Sequence, residues 1–324
     1  MKKKAIIGIH GLGNKPPRNL SEKWWKWAIL EGVQKIGHPA LSRLPFELVY
    51  WAHFLHSEPL NSRIKDPSHP LYLDNPYVPS EAKPAHFRPS RFKKTRLALI
   101  EKILDMLFLR DYKFFNFDGI FDYIIRKKFE DLALYYDQTN VDKKDFGLYA
   151  KTRIREELAK SLRKHRKKAI LLIAHSMGSI IAYDVLTQVV PKIKIHTFIT
   201  LGSPLGLPAV MKKILAEQQH DFRKLKKVPA PENITSAWLN FSDLDDRVAM
   251  NYNLADDFGK NAAGVGPVDV VVKSDYAYNG KKNPHKSYGY LRAPEVAEAI
   301  YAFLSEKKPT ALEAFKEKVR NFFT

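Results

Sequence analysis

Residues 169–186 read AILLIAHSMGSIIAYDVL. An apolar run leads into Ser176, and a helical pattern follows it. The order is strand, sharp turn, helix. A serine there has two readings. It is a preferred N-cap, because its oxygen accepts an orphan backbone N–H. It is also where a strained strand-to-helix turn exposes a nucleophile between small residues. Ala174 and Gly178 are those small residues here, with Ala174 in the place more often held by glycine. A nucleophile needs a base to take its proton and amides to hold the developing oxyanion. The rest of the chain therefore decides between the readings.

Six short apolar runs are expected as strands: AIIGI (5–9), FELVYW (46–51), AILLIA (169–174), IHTFITL (195–201), TSAWLNF (235–241) and VDVVV (268–272). Continuous apolar runs mark parallel strands covered on both faces. Helical patterns fall at 18–36, 149–166, 178–190 and 209–219, and a last helix opens at Ala293-Pro294. The alternation predicts an α/β fold with a mostly parallel sheet of about six strands and helices on both faces.

The first strand ends in IHGLGNKPP (9–17). His10-Gly11 fits a loop that supplies one oxyanion donor, the Leu12 amide; the other is the amide of Met177, the residue after the serine. A dinucleotide fingerprint fails, because no third glycine follows Gly13 in register. Three histidines lie beyond Ser176: His196 in a strand, His220 in a basic excursion, and His285 in the polar loop NGKKNPHKSYGYL (279–291). His285, after the last strand, is the candidate base. The acid is sought after the fifth strand, at Asp243, Asp245 or Asp246. Asp also caps tight turns at strand ends, so two of the three are expected to be structural. Asp246 is favoured, because the apolar pair Val248-Ala249 follows it and can fold back onto the sheet. A calcium loop fails, lacking glycine at its sixth position and glutamate at its twelfth.

These stretches resemble the α/β-hydrolase superfamily in its lipase and esterase branches. Ala-His-Ser-Met-Gly resembles the elbow of small bacterial lipases, and HSMGSIIAYDVL that of intracellular phospholipase-like hydrolases. ITLGSPLGLP (199–208) and NPHKSYGYL (283–291) resemble a lipase turn and histidine loop. The resemblance implies Ser176 as nucleophile, His285 as base and Asp246 as its orienting acid. It implies ester hydrolysis; the alternatives are amidase, thioesterase or acyltransferase chemistry and, from another class, a non-catalytic module that binds anionic membranes, which would have no need of Ser176, His285 and the His10-Gly11 loop together.

Composition bounds the remainder. The chain has 324 residues, 45% hydrophobic, ample for a core. It is expected as one domain, 1–324, with a cap inserted at 53–148 and a smaller insertion at 208–233. The first half of the cap is Pro-rich; its second half carries helical patterns at 96–110 and 117–136, too apolar to be solvated. The absence of cysteine excludes a disulfide scaffold or thiolate site and fits a reducing cytoplasm. No metal or organic cofactor is required by this chemistry. Lys and Arg exceed Asp and Glu, 54 to 35, for a net charge of +19. The cations are densest at 151–168, around an Ile154, Leu158, Leu162 stripe. Such a surface is either solvated or drawn to polyanions. A solvated face is the plainer reading, with peripheral contact with anionic membrane as the alternative; the expected substrate is a small-molecule or lipid ester, with no specific nucleic-acid binding. His53 and His56 lack a third metal ligand and are expected as surface or packing histidines. Trp24 and Trp27 are expected, with Ala28, on the buried face of the first helix.

Overall fold

The sheet is built around β1 (Lys4–Ile9) and β3 (Ala169–His175), paired in parallel from Lys4 and Ala169 to Ile9 and Ala174. β2 (Phe46–Val49) lies outside β1, and β4 (Ile195–Leu201), β5 (Ile234–Asp243) and β6 (Pro267–Val272) follow on the other side. The order is β2-β1-β3-β4-β5-β6, and every pair is parallel. All six predicted runs are strands. The computed structural model describes residues 3–39, 41, 43–81, 86, 135, 141–218, 227–249 and 252–305.

Alternate residues of each strand enter different cores, as strand periodicity dictates. Ile7, Ile9, Leu172 and Ala174 face one core with α2 (Val141–His165), α3 (Met177–Asp184) and α4 (Pro208–Glu217). Ile6, Leu171 and Ile173 face the other with α1 (Arg18–Lys35), α6 (Ser287–Leu291) and α7 (Pro294–Ser305). The chain leaves β1 for β2 and returns to β3 on β1's other side. The carboxyl ends of β1 and β3 therefore meet where strand order reverses, the usual crevice for ligands in open α/β sheets.

Several expectations change. α1 buries Trp24, Trp25, Ala28, Ile29, Gly32 and Val33, while Trp27 is 41% exposed. The buried stripe runs through positions i, i+1, i+4 and i+5, which puts Trp27 on its edge. Trp27 leans instead on Tyr77, ring centres 5.6 Å apart, with Lys23 over it. The helix expected at 178–190 ends at Asp184 and continues as a π-turn, Val185–Val189. The polar loop at 279–291 holds more order than expected. Asn279 and Gly280, both at positive φ, close a hairpin of β7 (Ala277–Tyr278) and β8 (Lys281–Lys282). Such a turn favours Asn-Gly. α6 then buries Tyr288, Tyr290 and Leu291. A short helix, α5 (Leu254–Asp257), was not expected.

The stripe of α2 is as expected, with Ile154, Leu158 and Leu162 buried. Its cations are not all turned to solvent. Arg155 binds Asp184 at 2.6 Å and Glu217 at 2.8 Å, and Lys151 pairs with Glu217. Tyr135 joins them, donating to Asp184 at 2.7 Å and accepting from Arg155 at 2.9 Å. Asp184 is fully buried on α3, so it draws those cations inward. The helical patterns at 96–110 and 117–136, Tyr135 excepted, lie outside the described residues, as does His220.

Candidate active site

Ser176 stands at the N-cap position of α3, but its side chain makes no cap bond. Its backbone sits at φ 55° and ψ −131°, an uncommon region for a residue with a side chain. Such strain costs about 1–3 kcal/mol and persists only where the surroundings enforce it. The enforcement is visible. The Ser176 N–H donates to Leu201 at 2.9 Å, and its carbonyl accepts from the Ser179 amide at 2.8 Å and hydroxyl at 2.6 Å. A Cβ at Gly178 would meet the Ile9 and His10 carbonyls at 2.8 Å. One at Gly11 would meet the Ser176 Cβ at 2.5 Å. The turn and the 10–13 loop thus approach at a distance only glycine permits.

Freed from capping, the Ser176 hydroxyl lies 2.9 Å from His285 Nε2. His285 Nδ1 lies 2.8 Å from Asp246 Oδ2. A carboxylate accepts, so Nδ1 carries the proton and Nε2 accepts from the serine. Asp246 is further held by the Tyr290 hydroxyl, donating to Oδ2 at 2.7 Å, and by the Val248 amide, donating to Oδ1 at 2.9 Å. Burial, then the Asp246 charge, pushes the Tyr290 phenol well above its usual range, so it stays a donor. Gly202, at φ +53°, leaves room for this carboxylate: a Cβ there would stand 2.7 Å from Asp246 Oδ2.

The neighbouring aspartates do other things. Asp243 accepts from the Asp245 amide at 2.8 Å and the Ser274 amide at 2.7 Å, joining the ends of β5 and β6. Asp245 is exposed and pairs with Lys273. Of the three, Asp246 meets His285. His196 points elsewhere, 2.8 Å from the Thr197 hydroxyl and against Phe303.

On the opposite side, Met177 is buried at the start of α3, and half-buried Leu12 packs against the same core. His10 sets the loop between them. The Trp51 amide donates to His10 Nε2 at 3.1 Å, so the His10 proton is on Nδ1, which donates to the Gly11 carbonyl at 2.9 Å. The peptide is trans, so holding the Gly11 oxygen also aims the Leu12 N–H the opposite way. Trp51 adds a bond from its indole to the His10 carbonyl at 2.9 Å and a stacked ring at 4.7 Å. Lys15 binds the Leu12 and Gly13 carbonyls.

The sequence pointed to neither Trp51, Tyr290 nor His175, because each acts on a residue distant in the chain. Lys286, beside His285, is half-buried; burial pulls its ammonium down to about 8, with Asp74 opposing. His53 packs on Tyr50 and Phe54, ring centres at 5.8 and 4.0 Å. Among the described residues, no cluster of three or more His, Asp or Glu is set to hold a metal ion. No described helix is long and apolar enough to cross a membrane.

Residues 142–237 match the family model of lecithin:cholesterol acyltransferase, a family within the α/β-hydrolase superfamily. The match runs from α2 into β5 and contains Ser176 and Met177, but not Leu12, Asp246 or His285. No curated protein and no solved structure matches the chain. The chain has the α/β-hydrolase fold, and its elbow-bearing third is similar to the lecithin:cholesterol acyltransferase family.

Proposed function

We propose that this protein is a serine enzyme that cleaves carboxylic esters of lipid-like substrates through an acyl-enzyme. The observation that carries the reading is His285, bonded at once to the Ser176 hydroxyl and to buried Asp246. Ser176 Oγ attacks the ester carbonyl while His285 Nε2 takes its proton. The oxyanion forms against the Leu12 and Met177 amides. Such donors are each worth about 10²–10³ in rate. The imidazolium returns its proton to the leaving alcohol, and a water activated by the same imidazole releases the acid. Asp246 keeps the tautomer and stabilises the imidazolium without taking the proton.

The lipid assignment leans on the family match and on the apolar helical patterns of the 53–148 insertion, which we assign as a cap over the site. Cationic surface suits peripheral contact with anionic membrane from the cytoplasmic side, by apolar burial plus charge attraction. A second reading, acyl transfer to an alcohol, is favoured by the name of the matched family.

Fluorophosphonate labelling with peptide mapping tests the nucleophile: modification at Ser176 is expected, and labelling elsewhere overturns the mechanism. Incubation with a phospholipid, with and without a long-chain alcohol, separates the two outcomes. Free fatty acid alone means hydrolysis, and a new ester means transfer. Turnover confined to small soluble esters, with no binding to anionic vesicles at low salt, overturns the lipid assignment.

A further inference from the structure

One buried imidazole beside the nucleophile has no part in the chemistry proposed above. His175 ends β3, immediately before Ser176, and is 8% exposed. Its Nε2 lies 2.7 Å from the backbone carbonyl of His285. A carbonyl only accepts, so His175 is the Nε2–H tautomer and donates. The two rings are 4.8 Å apart and tilted by 38°.

We infer that His175 is a positioning residue, anchoring the backbone of the candidate base to the strand that carries the nucleophile. The inference rests on the triad reading. His285 comes from the connection between the β7–β8 hairpin and α6, 109 residues from Ser176 in the chain. Its ring is held by Ser176 and Asp246, but the bond to Ser176 is surrendered when the proton moves. A tie from the main chain of His285 to β3 survives that step. β3 is paired on both sides by β1 and β4, so its end is a rigid post. A side chain one residue before the serine sets the serine-to-imidazole distance with little slack between. Burial, and next the proximity of His285, keep the His175 imidazole well below its usual range. It therefore stays neutral beside the imidazolium and does not compete for the proton.

The test compares His175→Gln with His175→Asn and His175→Leu. The glutamine amide reaches the place of Nε2 and keeps a neutral donor; asparagine is as polar but too short, and leucine has no donor. On a short p-nitrophenyl ester, Asn and Leu variants should lose about 10²-fold in kcat at unchanged KM, as for a misplaced reacting group. Gln should stay within about threefold of the unchanged protein, and in a His285→Ala background the Asn change should cost no more than about threefold. Either the Asn or the Leu variant suffices if the other fails to fold, as thermal midpoints will show. Equal kcat in Gln and Asn, loss in KM alone, or full additivity with His285→Ala overturns the inference. Fluorophosphonate labelling of the unchanged protein is read separately. If Ser176 is not modified, the triad reading falls; if it is modified equally fast in the Asn variant, only the role of His175 falls.

Discussion

Ser176 and the 10–13 loop extend from β3 and β1, neighbours bonded along six residue pairs from Lys4 and Ala169 to Ile9 and Ala174. Asp246 and His285 come from connections after β5 and after a two-residue hairpin. Around the serine, backbone geometry does the holding: a positive φ, two glycines at contact distance, and main-chain bonds to Leu201 and Ser179. Around the imidazole, side chains do it: Asp246, Tyr290 and His175. The nucleophile side depends on backbone shape. The acid–base side depends chiefly on donors and acceptors, with one shape constraint of its own at Gly202, where a Cβ would stand 2.7 Å from Asp246 Oδ2.

The largest expected effect tests whether the two sides act as one unit. Ser176→Ala and His285→Ala should each cost on the order of 10⁶ in kcat on short p-nitrophenyl esters, and the double variant scarcely more. Additive losses in the steady-state rates would separate the two sides and break the triad.

Next comes the acid. Asp246→Asn should lower kcat by about 10⁴, because His285 would adopt the wrong tautomer. Asp245→Asn should leave kcat nearly unchanged, and Asp243→Asn should act chiefly on the thermal midpoint, since its bonds join β5 to β6. A larger kinetic loss at Asp243 than at Asp246 would move the acid.

Shape on the nucleophile side is probed by Gly11→Ala. Its methyl would stand 2.5 Å from the Ser176 Cβ, so the loop must retreat with the Leu12 amide. A loss of about 10² in kcat with KM little changed is expected, as for one displaced oxyanion donor. Wild-type kcat would show that the amide is not used.

Tyr290→Phe keeps shape and removes one donor to Asp246 Oδ2 and one acceptor for the Asp243 amide. A bond to a charged group is worth about 1.5–3 kcal/mol, so kcat should fall about tenfold or somewhat more. If the loss exceeds that at Gly11, the acid–base side is the less tolerant of the two.

The smallest effect lies in neither region. Burial alone would raise the Glu47 carboxyl, but Lys164, His165 and Ser161 outweigh it and hold it at about 2. A carboxylate lowered on folding stabilises the protein above its unfolded pKa, near 4.5, and that share is lost as pH falls toward about 2. Glu47→Gln should lower the thermal midpoint by about 2 °C at pH 7, with the difference shrinking below about pH 5, and should leave kcat unchanged. A difference that grows toward low pH would reverse the assignment.

Much of this molecule is local and was legible as such. Each strand is a continuous apolar run because parallel strands are covered on both faces, and the elbow is a turn whose small residues lie within five positions. Chain order singled out His285, since the other histidines past Ser176 fell in a strand or a basic excursion. Choices between equivalent neighbours were harder to read. Asp243, Asp245 and Asp246 are alike in kind; the apolar pair after Asp246 favoured it, but only the meeting of the β5 connection with the His285 segment brings its carboxylate to the imidazole. Trp24, Trp25 and Trp27 are alike too, and only the packing of α1 against α6 and α7 sets which one stays outside. Local propensity acts within a few residues; hydrogen-bond partners 39 or 110 residues apart are chosen by how the layers pack.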